Sequence, residues 1–316
     1  MGEPADGELL MASLIFTNPF HTHLALITLF LCGLALSYLF WKKTFLVILQ
    51  DIRPLRIVYY NLLVAFGFLL ALRHSQFEPS IETYAAAAVL AITSIFAALT
   101  IIITNNIADI DIDKISNKDR PLVASKIDIK TYKRIAWASL FLAMLYSYSV
   151  SHVAFFITLF GIVNYSLYSM PPIRLKRVPV FSKFIISINS LLAAMLGFTL
   201  INPHIQDFPW PLAAYLLVVS TLLANFIDLK DYEGDKQTGI RTLPVIFGLK
   251  RSKKIIGVAF MLAHLSVYFL IQDLSIVALF FLFGLLQFFL ITRKNYIEKP
   301  VFSILLITLA IFIIYV

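Results

Sequence analysis

The sequence contains little charge and almost no cysteine. Only 14% of its 316 residues are charged, whereas 60% are hydrophobic. Soluble domains carry about 25% charged residues, so the composition excludes that class and indicates a polytopic helical membrane protein. The single cysteine, Cys32, excludes an intramolecular disulfide.

Several catalytic signatures are also missing from the sequence. It has no Gly-rich phosphate loop, no Ser–His–Asp set and no Cys–His pair, which disfavours ATPase, hydrolase-triad and thiol mechanisms. Among six scattered histidines, only His21 and His23 stand close together. Because zinc sites need three or four ligands, we interpret this pair as a membrane-boundary segment. The first apolar run has no basic region before it, so no cleaved signal peptide is predicted.

Ten apolar runs are candidates for membrane spans, since about 20 apolar residues cross a bilayer. They lie near 22–41, 57–73, 83–104, 132–150, 152–169, 182–201, 210–227, 255–271, 274–292 and 301–316. The sequence therefore predicts an all-α polytopic membrane protein.

The basic residues predict how these spans are oriented. Of the 26 Lys and Arg residues, 25 fall in five alternate connections, at 42–56, 105–134, 170–183, 228–254 and 293–299. Because cytoplasmic loops are the basic ones, these connections are predicted to face the cytoplasm and both termini the opposite side. This distribution accounts for the net charge of +8 without a nucleic-acid partner.

Two acidic clusters stand at the predicted cytoplasmic ends of two spans. Their members are Asn105, Asp109 and Asp113 in the first cluster, and Asp228, Asp231 and Asp235 in the second. Carboxylates are costly beside a bilayer, so acids in this position are functional candidates. A spacing of four residues places the first cluster on one helix face, as it does for Asp231 and Asp235. Asp111 points to another side and fits a solvated position.

The chemistry of these side chains predicts a magnesium site. Hard oxygen ligands suit Mg²⁺, which often completes its shell with the phosphates of a substrate. We assign Asp109, Asp113, Asp231 and Asp235 as catalytic metal ligands. Asn105 and Asp228 are further candidate ligands, and the Asn105 amide is alternatively suited to position a phosphate.

Basic and aromatic residues near the clusters predict a site for a polyanion. Lys and Arg side chains complete phosphate sites, and four stand close to the acidic clusters or on the same side of the membrane. These candidates for diphosphate binding are Lys118, Arg120, Lys176 and Arg241. Tyr168 ends a span on the same side, and its ring is suited to stabilise an allylic cation beside a diphosphate.

These blocks resemble the UbiA superfamily of intramembrane prenyltransferases. The first family motif, Asn-x3-Asp-x3-Asp, corresponds to Asn105, Asp109 and Asp113 and is followed by Lys118-Asp119-Arg120-Pro121-Leu122. The second corresponds to Asp228, Asp231 and Asp235 and continues into Gly239-Ile240-Arg241-Thr242-Leu243-Pro244. The stretch 165–177 is similar to the tyrosine, proline and basic block of the family, and Arg53-Pro54 to its first helix start.

The resemblance implies nine helices around a central cavity, formed by a domain at 50–316. The run at 22–41 is then an extra N-terminal transmembrane helix within an extension at 1–49. The implied reaction moves an isoprenyl group from a polyprenyl diphosphate, held by Mg²⁺, to an acceptor through an allylic cation. The implied surroundings are membrane lipids, with the site on the cytoplasmic side.

The acceptor stays open between two classes. In the branch with aromatic acceptors, Arg53 is expected to hold an acid group on the ring. The stretches Asp111-Ile112-Asp113-Lys114 and Tyr168-Ser169-Met170-Pro171-Pro172 look at least as similar to members that act on lipid alcohols or chlorophyll-type acids. Two other functions remain alternatives, namely a terpene cyclase on the same scaffold and a non-catalytic transporter or scaffold.

Overall fold

The structure is a computed structural model that describes residues 19–179 and 181–316. Within these ranges, all regular secondary structure is helical. The expected lack of a signal peptide, and the part of the predicted extension that precedes residue 19, lie outside the described residues.

Each of the ten predicted spans corresponds to a long helix or helical run. The helices are α1 (Pro19–Asp51), α2 (Pro54–Arg73), α3 (Ile81–Ala108), α4 (Ile110–Ser116), α5 (Ile129–Val150), α6 (His152–Ser169), α7 (Phe181–Phe198), α8 (Trp210–Leu223), α9 (Asp228–Thr238), α10 (Leu243–Phe247), α11 (Leu249–Leu265), α12 (Leu274–Thr292) and α13 (Glu298–Tyr315). A 3₁₀ turn at Ala224–Ile227 joins α8 to α9, and another at Ser266–Phe269 extends α11.

Nine of the described helical segments are long and apolar enough to cross a membrane. The tenth predicted span is helix α5, which has 22 residues but is not among the nine. Three basic residues lie in its first turns, and serine and tyrosine residues recur along it. Its outer face nevertheless carries exposed Trp137 and Phe141, which are 70% and 66% accessible, as suits a helix against lipid.

Helix α1 is the additional N-terminal helix, and it is longer than the predicted run. It continues to Asp51 past a break in helical geometry at Trp41, where φ is −131° and ψ is 40°. It packs on the outside of α3 and α5, where the Tyr146 hydroxyl donates to the Leu26 carbonyl at 2.8 Å. The domain boundary at 49/50 stays a prediction.

Two glycines allow α2 and α7 to cross in direct backbone contact. A Cβ on Gly67 would collide with the carbonyl of Ala194, and one on Gly197 would collide with the carbonyl of Val64. Small residues at such crossings allow helices within a membrane to pack by van der Waals contact. The crossing fixes two helices that both line the central cavity.

The helices enclose a mostly apolar cavity of about 1330 Å³, which includes its open mouth. Its walls come from α2, α3, α6, α7, α8, the 3₁₀ turn that follows α8, and α13. A polar cavity of about 680 Å³ adjoins it. Arg53, Arg56, Tyr165 and Ile227 line both cavities, so the two form one continuous space with a polar end.

Candidate active site

The first acidic cluster spans a helix break. The sequence predicted Asn105, Asp109 and Asp113 on one continuous helix, but α3 ends at Ala108 and α4 begins at Ile110, with Asp109 between them at φ −105° and ψ 12°. Backbone hydrogen bonds still join residues four apart across the break, with Asp109 N–H to Asn105 at 2.9 Å and Asp113 N–H to Asp109 at 2.9 Å. The three side chains therefore still line the same cavity.

The second cluster lies on a helix, as the four-residue spacing of Asp231 and Asp235 predicted, and this helix continues beyond the predicted apolar run at 210–227. The chain stays helical from Trp210 to Thr238, so α9 carries Asp228, Asp231 and Asp235 on successive turns. All three line the polar cavity. Gly239, with φ of 72°, then ends the helix in a left-handed conformation.

The polar cavity brings together most of the predicted site residues. It is lined by Asn105, Asp109, Asp113, Arg120, Tyr168, Lys176, Asp228, Asp231 and Asp235, together with Arg53. Two predicted diphosphate ligands are not in its lining. Lys118 is exposed on a neighbouring polar cavity at the end of α1, and Arg241 is exposed after α9.

The Asp109 carboxylate is held by two basic residues that follow α6. It accepts a hydrogen bond from the Lys176 ammonium and another from the Arg174 guanidinium at 2.9 Å. Burial lowers the pKa of Lys176, while Asp109 acts in the opposite direction. Arg174 also donates to the Ala108 carbonyl at 3.1 Å, so it fixes the break between α3 and α4.

A similar buried ion pair holds the second cluster. The Lys183 ammonium lies 2.5 Å from an oxygen of Asp228, and the two side chains are 5% and 10% exposed. Lys183 lines the polar cavity, although the sequence gave no reason to separate it from residues that set topology. Lys183 is the third residue of α7 and lies in the first turn of this apolar helix.

Hydrogen bonds from Asn117 connect the two clusters. The Asn117 amide donates to Asp113 at 2.9 Å and to Asp231 at 3.1 Å. Burial raises the pKa of Asp113, and Arg120 opposes that shift. Asn117 was not singled out from the sequence, because its partner on α9 is 114 residues away.

The donor set fits Mg²⁺. The carboxylate of buried Asp235 has no hydrogen-bond or ion-pair partner among the described residues, and one oxygen of the Asp228 carboxylate is buried without a partner. No three His, Cys, Asp or Glu side chains in the described part of the chain are gathered closely enough to form a complete cage. Mg²⁺ characteristically takes one or two carboxylates and fills its shell with water and phosphate oxygens, so a complete protein cage is not required.

Arg53 provides a positive charge where the two cavities join. One of its terminal nitrogens donates to the Asn106 amide oxygen at 3.1 Å, and its Nε is buried without a partner. Burial lowers the pKa of the Arg53 guanidinium to about 10, and the nearby charges of Arg56 and Arg120 act in the same direction. Arg56, in contrast, has a carboxylate partner in Glu298 at 3.4 Å.

Aromatic rings line the same junction. The rings of Tyr165 and Tyr168 lie 5.2 Å apart and are tilted by 48°. Tyr165 lines both cavities, and Tyr168 lines the polar one. Aromatic side chains therefore lie where the polar cavity meets the apolar one.

Comparison with known proteins identifies this architecture. The model of the UbiA prenyltransferase family matches residues 61–314. A solved UbiA homolog from Archaeoglobus fulgidus, bound to GPP and Mg²⁺, superposes with a TM-score of 0.66 at 21% identity, over 85% of this chain and 97% of that one. This likeness confirms the predicted all-helical fold.

Two curated relatives differ in how much of their length is matched. Digeranylgeranylglyceryl phosphate synthase of Sulfolobus acidocaldarius is 27% identical over 65% of this chain and 74% of the relative. Naringenin 8-dimethylallyltransferase 2 of Sophora flavescens is 30% identical over 46% of this chain, and the match spans only 39% of that plant enzyme. Both relatives are named as enzymes that transfer or join prenyl groups. Since the family model covers most of the sequence, the chain belongs to the UbiA prenyltransferase family.

Proposed function

We propose that this protein transfers an isoprenyl group from a prenyl diphosphate to an aromatic or lipid acceptor, with Mg²⁺ as its cofactor. The observation that carries this proposal is the junction of two cavities. A polar space lined by five Asp, three Arg and three Lys side chains opens into an apolar space of about 1330 Å³. That shape and polarity suit a molecule with a diphosphate head and a hydrocarbon tail.

The charges in the polar cavity support the assignment of the head group. Five carboxylates and six cationic side chains line the cavity, so its wall charges nearly cancel. A magnesium–diphosphate complex, which itself has little net charge, enters such a site without a large uncompensated charge. Asp109, Asp113, Asp231 and Asp235, with Asn105 and Asp228, would hold the metal, and Arg120 and Lys176 would hold the phosphates.

In the proposed reaction, the bond between C1 of the prenyl group and the diphosphate oxygen breaks, and both electrons leave with the diphosphate. Bound Mg²⁺ would neutralise charge on this leaving group. Arg120 and Lys176 would add fixed positive charge, and the Tyr168 ring would face the allylic cation. An acceptor oxygen or ring carbon then bonds to C1, and the acceptor proton passes to a diphosphate oxygen.

The proposed acceptor carries an anionic group. Arg53 lies at the junction of the cavities, and no described carboxylate lies within ion-pair distance of it. A carboxylate or phosphate on the acceptor would pair with this guanidinium bidentately. The same requirement applies to aromatic acids and to phosphate-bearing lipid alcohols.

The proposed active site faces the cytoplasm. Arg53, Arg120, Lys176 and Lys230 all belong to the basic connections and all line the polar cavity. Basic connections stay on the cytoplasmic side of a membrane. A soluble diphosphate product would therefore leave into the cytoplasm.

The test uses the full chain in lipid nanodiscs with Mg²⁺ and geranyl diphosphate. Aromatic acids and phosphate-bearing lipid alcohols are offered separately, and products are identified by mass spectrometry. We expect a prenylated product only with an acceptor and Mg²⁺, its loss in Asp235→Asn, and its retention in the matched control Asp111→Asn, which changes an exposed carboxylate.

Two outcomes would contradict the proposal. Release of a cyclic hydrocarbon without any acceptor would assign the protein as a cyclase. Failure of the folded protein to bind prenyl diphosphates of any of several chain lengths, measured by calorimetry with Mg²⁺, would exclude both enzymes and favour a non-catalytic role.

A further inference from the structure

Asp51 is a buried carboxylate at the end of the additional helix α1. It is 6% exposed and is not in the lining of the polar cavity. Its oxygens accept hydrogen bonds from the Asn106 amide at 3.0 and 2.9 Å, from the Tyr132 hydroxyl, and from Arg120 at 3.4 Å. A buried carboxylate is stable only when it is compensated in this way.

One of these donors, Arg120, lines the polar cavity, and another, Asn106, contacts Arg53, which also lines it. The Asn106 amide nitrogen contacts Asp51 and Tyr132, so its oxygen is turned toward Arg53, from which it accepts at 3.1 Å. The reversed amide would place its oxygen against the carboxylate, which repels it. Asp51 therefore determines which atom Asn106 presents to Arg53.

Arg120 connects Asp51 to the first acidic cluster. Its NH1 nitrogen lies 3.4 Å from Asp51, while its Nε lies 4.0 Å from the Asp113 carboxylate. The guanidinium is planar and rigid, so anchoring one edge on Asp51 sets the direction of the other edge. Without that anchor, Asp113 would be the nearer carboxylate partner and would draw the guanidinium toward the acidic cluster.

We infer that Asp51 is a positioning residue that holds Arg53 and Arg120 in the substrate cavity. Through it, helix α1 contributes to the site, although α1 lies before the residues 61–314 matched by the family model. The inference rests on the proposed function, because it assigns Arg120 to a bound diphosphate.

The experiment measures binding of inorganic diphosphate with Mg²⁺ to the full chain in nanodiscs by calorimetry. We expect Asp51→Asn to weaken binding about tenfold, the range for a charged hydrogen bond. Arg120→Gln should weaken it by at least as much, and the double variant should bind no more weakly than Arg120→Gln alone. The control Asp111→Asn, which removes an exposed carboxylate with 83% side-chain accessibility, should leave binding unchanged.

A structural role alone would give a different pattern. If Asp51→Asn lowers the unfolding temperature but leaves the diphosphate Kd unchanged, or if the two substitutions add, the inference is overturned. If Asp51→Asn does not fold, phenylglyoxal labelling of arginines in the wild-type protein replaces the binding measurement. The inference is overturned if magnesium diphosphate does not protect Arg120 from labelling. Geranyl diphosphate binding is also measured for the wild-type protein in the same preparation. If the wild-type protein binds it, a negative result for Asp51 contradicts only the inference and not the proposed function.

Discussion

Removal of the Lys183 ammonium should destabilise the protein because it leaves Asp228 buried without a counter-ion. The pair is separated by 2.5 Å, and the second oxygen of Asp228 already has no partner among the described residues. Breaking a buried ion pair from one side costs about 3–5 kcal/mol. We therefore expect Lys183→Met to lower the free energy of unfolding by about 3 kcal/mol.

A double variant and an exposed pair complete this experiment. Asp228→Asn combined with Lys183→Met removes both charges, so most of the lost stability should return. Lys114 and Asp111 form an exposed Lys–Asp pair at 3.0 Å, and Lys114→Met should change stability by less than about 1 kcal/mol. The measurement is unfolding in detergent mixtures without Mg²⁺, followed by circular dichroism. The reasoning is refuted if Lys183→Met costs no more than Lys114→Met, or if the double variant is no more stable than Lys183→Met.

Three further predictions concern the bundle and the cavity. Gly67→Ala should sharply reduce the yield of monodisperse protein, because the new Cβ would collide with the backbone carbonyl of Ala194. The control Gly33→Ala adds its Cβ to open space and should not reduce the yield. Equal yields from the two variants would contradict the close crossing of α2 and α7. Lys176→Met should weaken geranyl diphosphate binding in calorimetry while Lys118→Ala leaves it unchanged, since only Lys176 lines the cavity; equal effects would count against this assignment. Tyr168→Leu should lower kcat about tenfold, because it removes the aromatic ring and its cation–π attraction. Tyr168→Phe keeps the ring and should leave kcat unchanged. A slow Tyr168→Phe enzyme would instead indicate a role for the hydroxyl.

Hydropathy was sufficient to locate the spans, because a bilayer imposes a minimum apolar length on every helix that crosses it. The predicted runs 152–169 and 274–292 coincide with α6 and α12. The ends facing the polar cavity were less predictable. Helix α9 continues past the apolar run of α8 and carries acidic residues. Two of its carboxylates, Asp228 and Asp231, contact Lys183 and Asn117 in the polar cavity and are therefore not compensated by water alone.

The acidic clusters were predictable because a four-residue repeat places side chains on one helix face. Residues whose position depends on another helix were not. Lys183 and Asp51 resembled ordinary charges at the ends of spans, and their partners lie 45 and at least 55 residues away along the chain. Lys118, in contrast, follows the first cluster closely in sequence but lies on a different cavity.

Charge pairing explains why the carboxylates converge without forming a metal cage on their own. Asp109 contacts Lys176, Asp228 contacts Lys183, and Asn117 connects the two clusters. Each contact offsets repulsion between carboxylates that share one small cavity. The segment between α6 and α7 provides Lys176 for the first cluster, and the first turn of α7 provides Lys183 for the second. The fold therefore keeps the acids together through cations that the acidic motifs themselves do not contain.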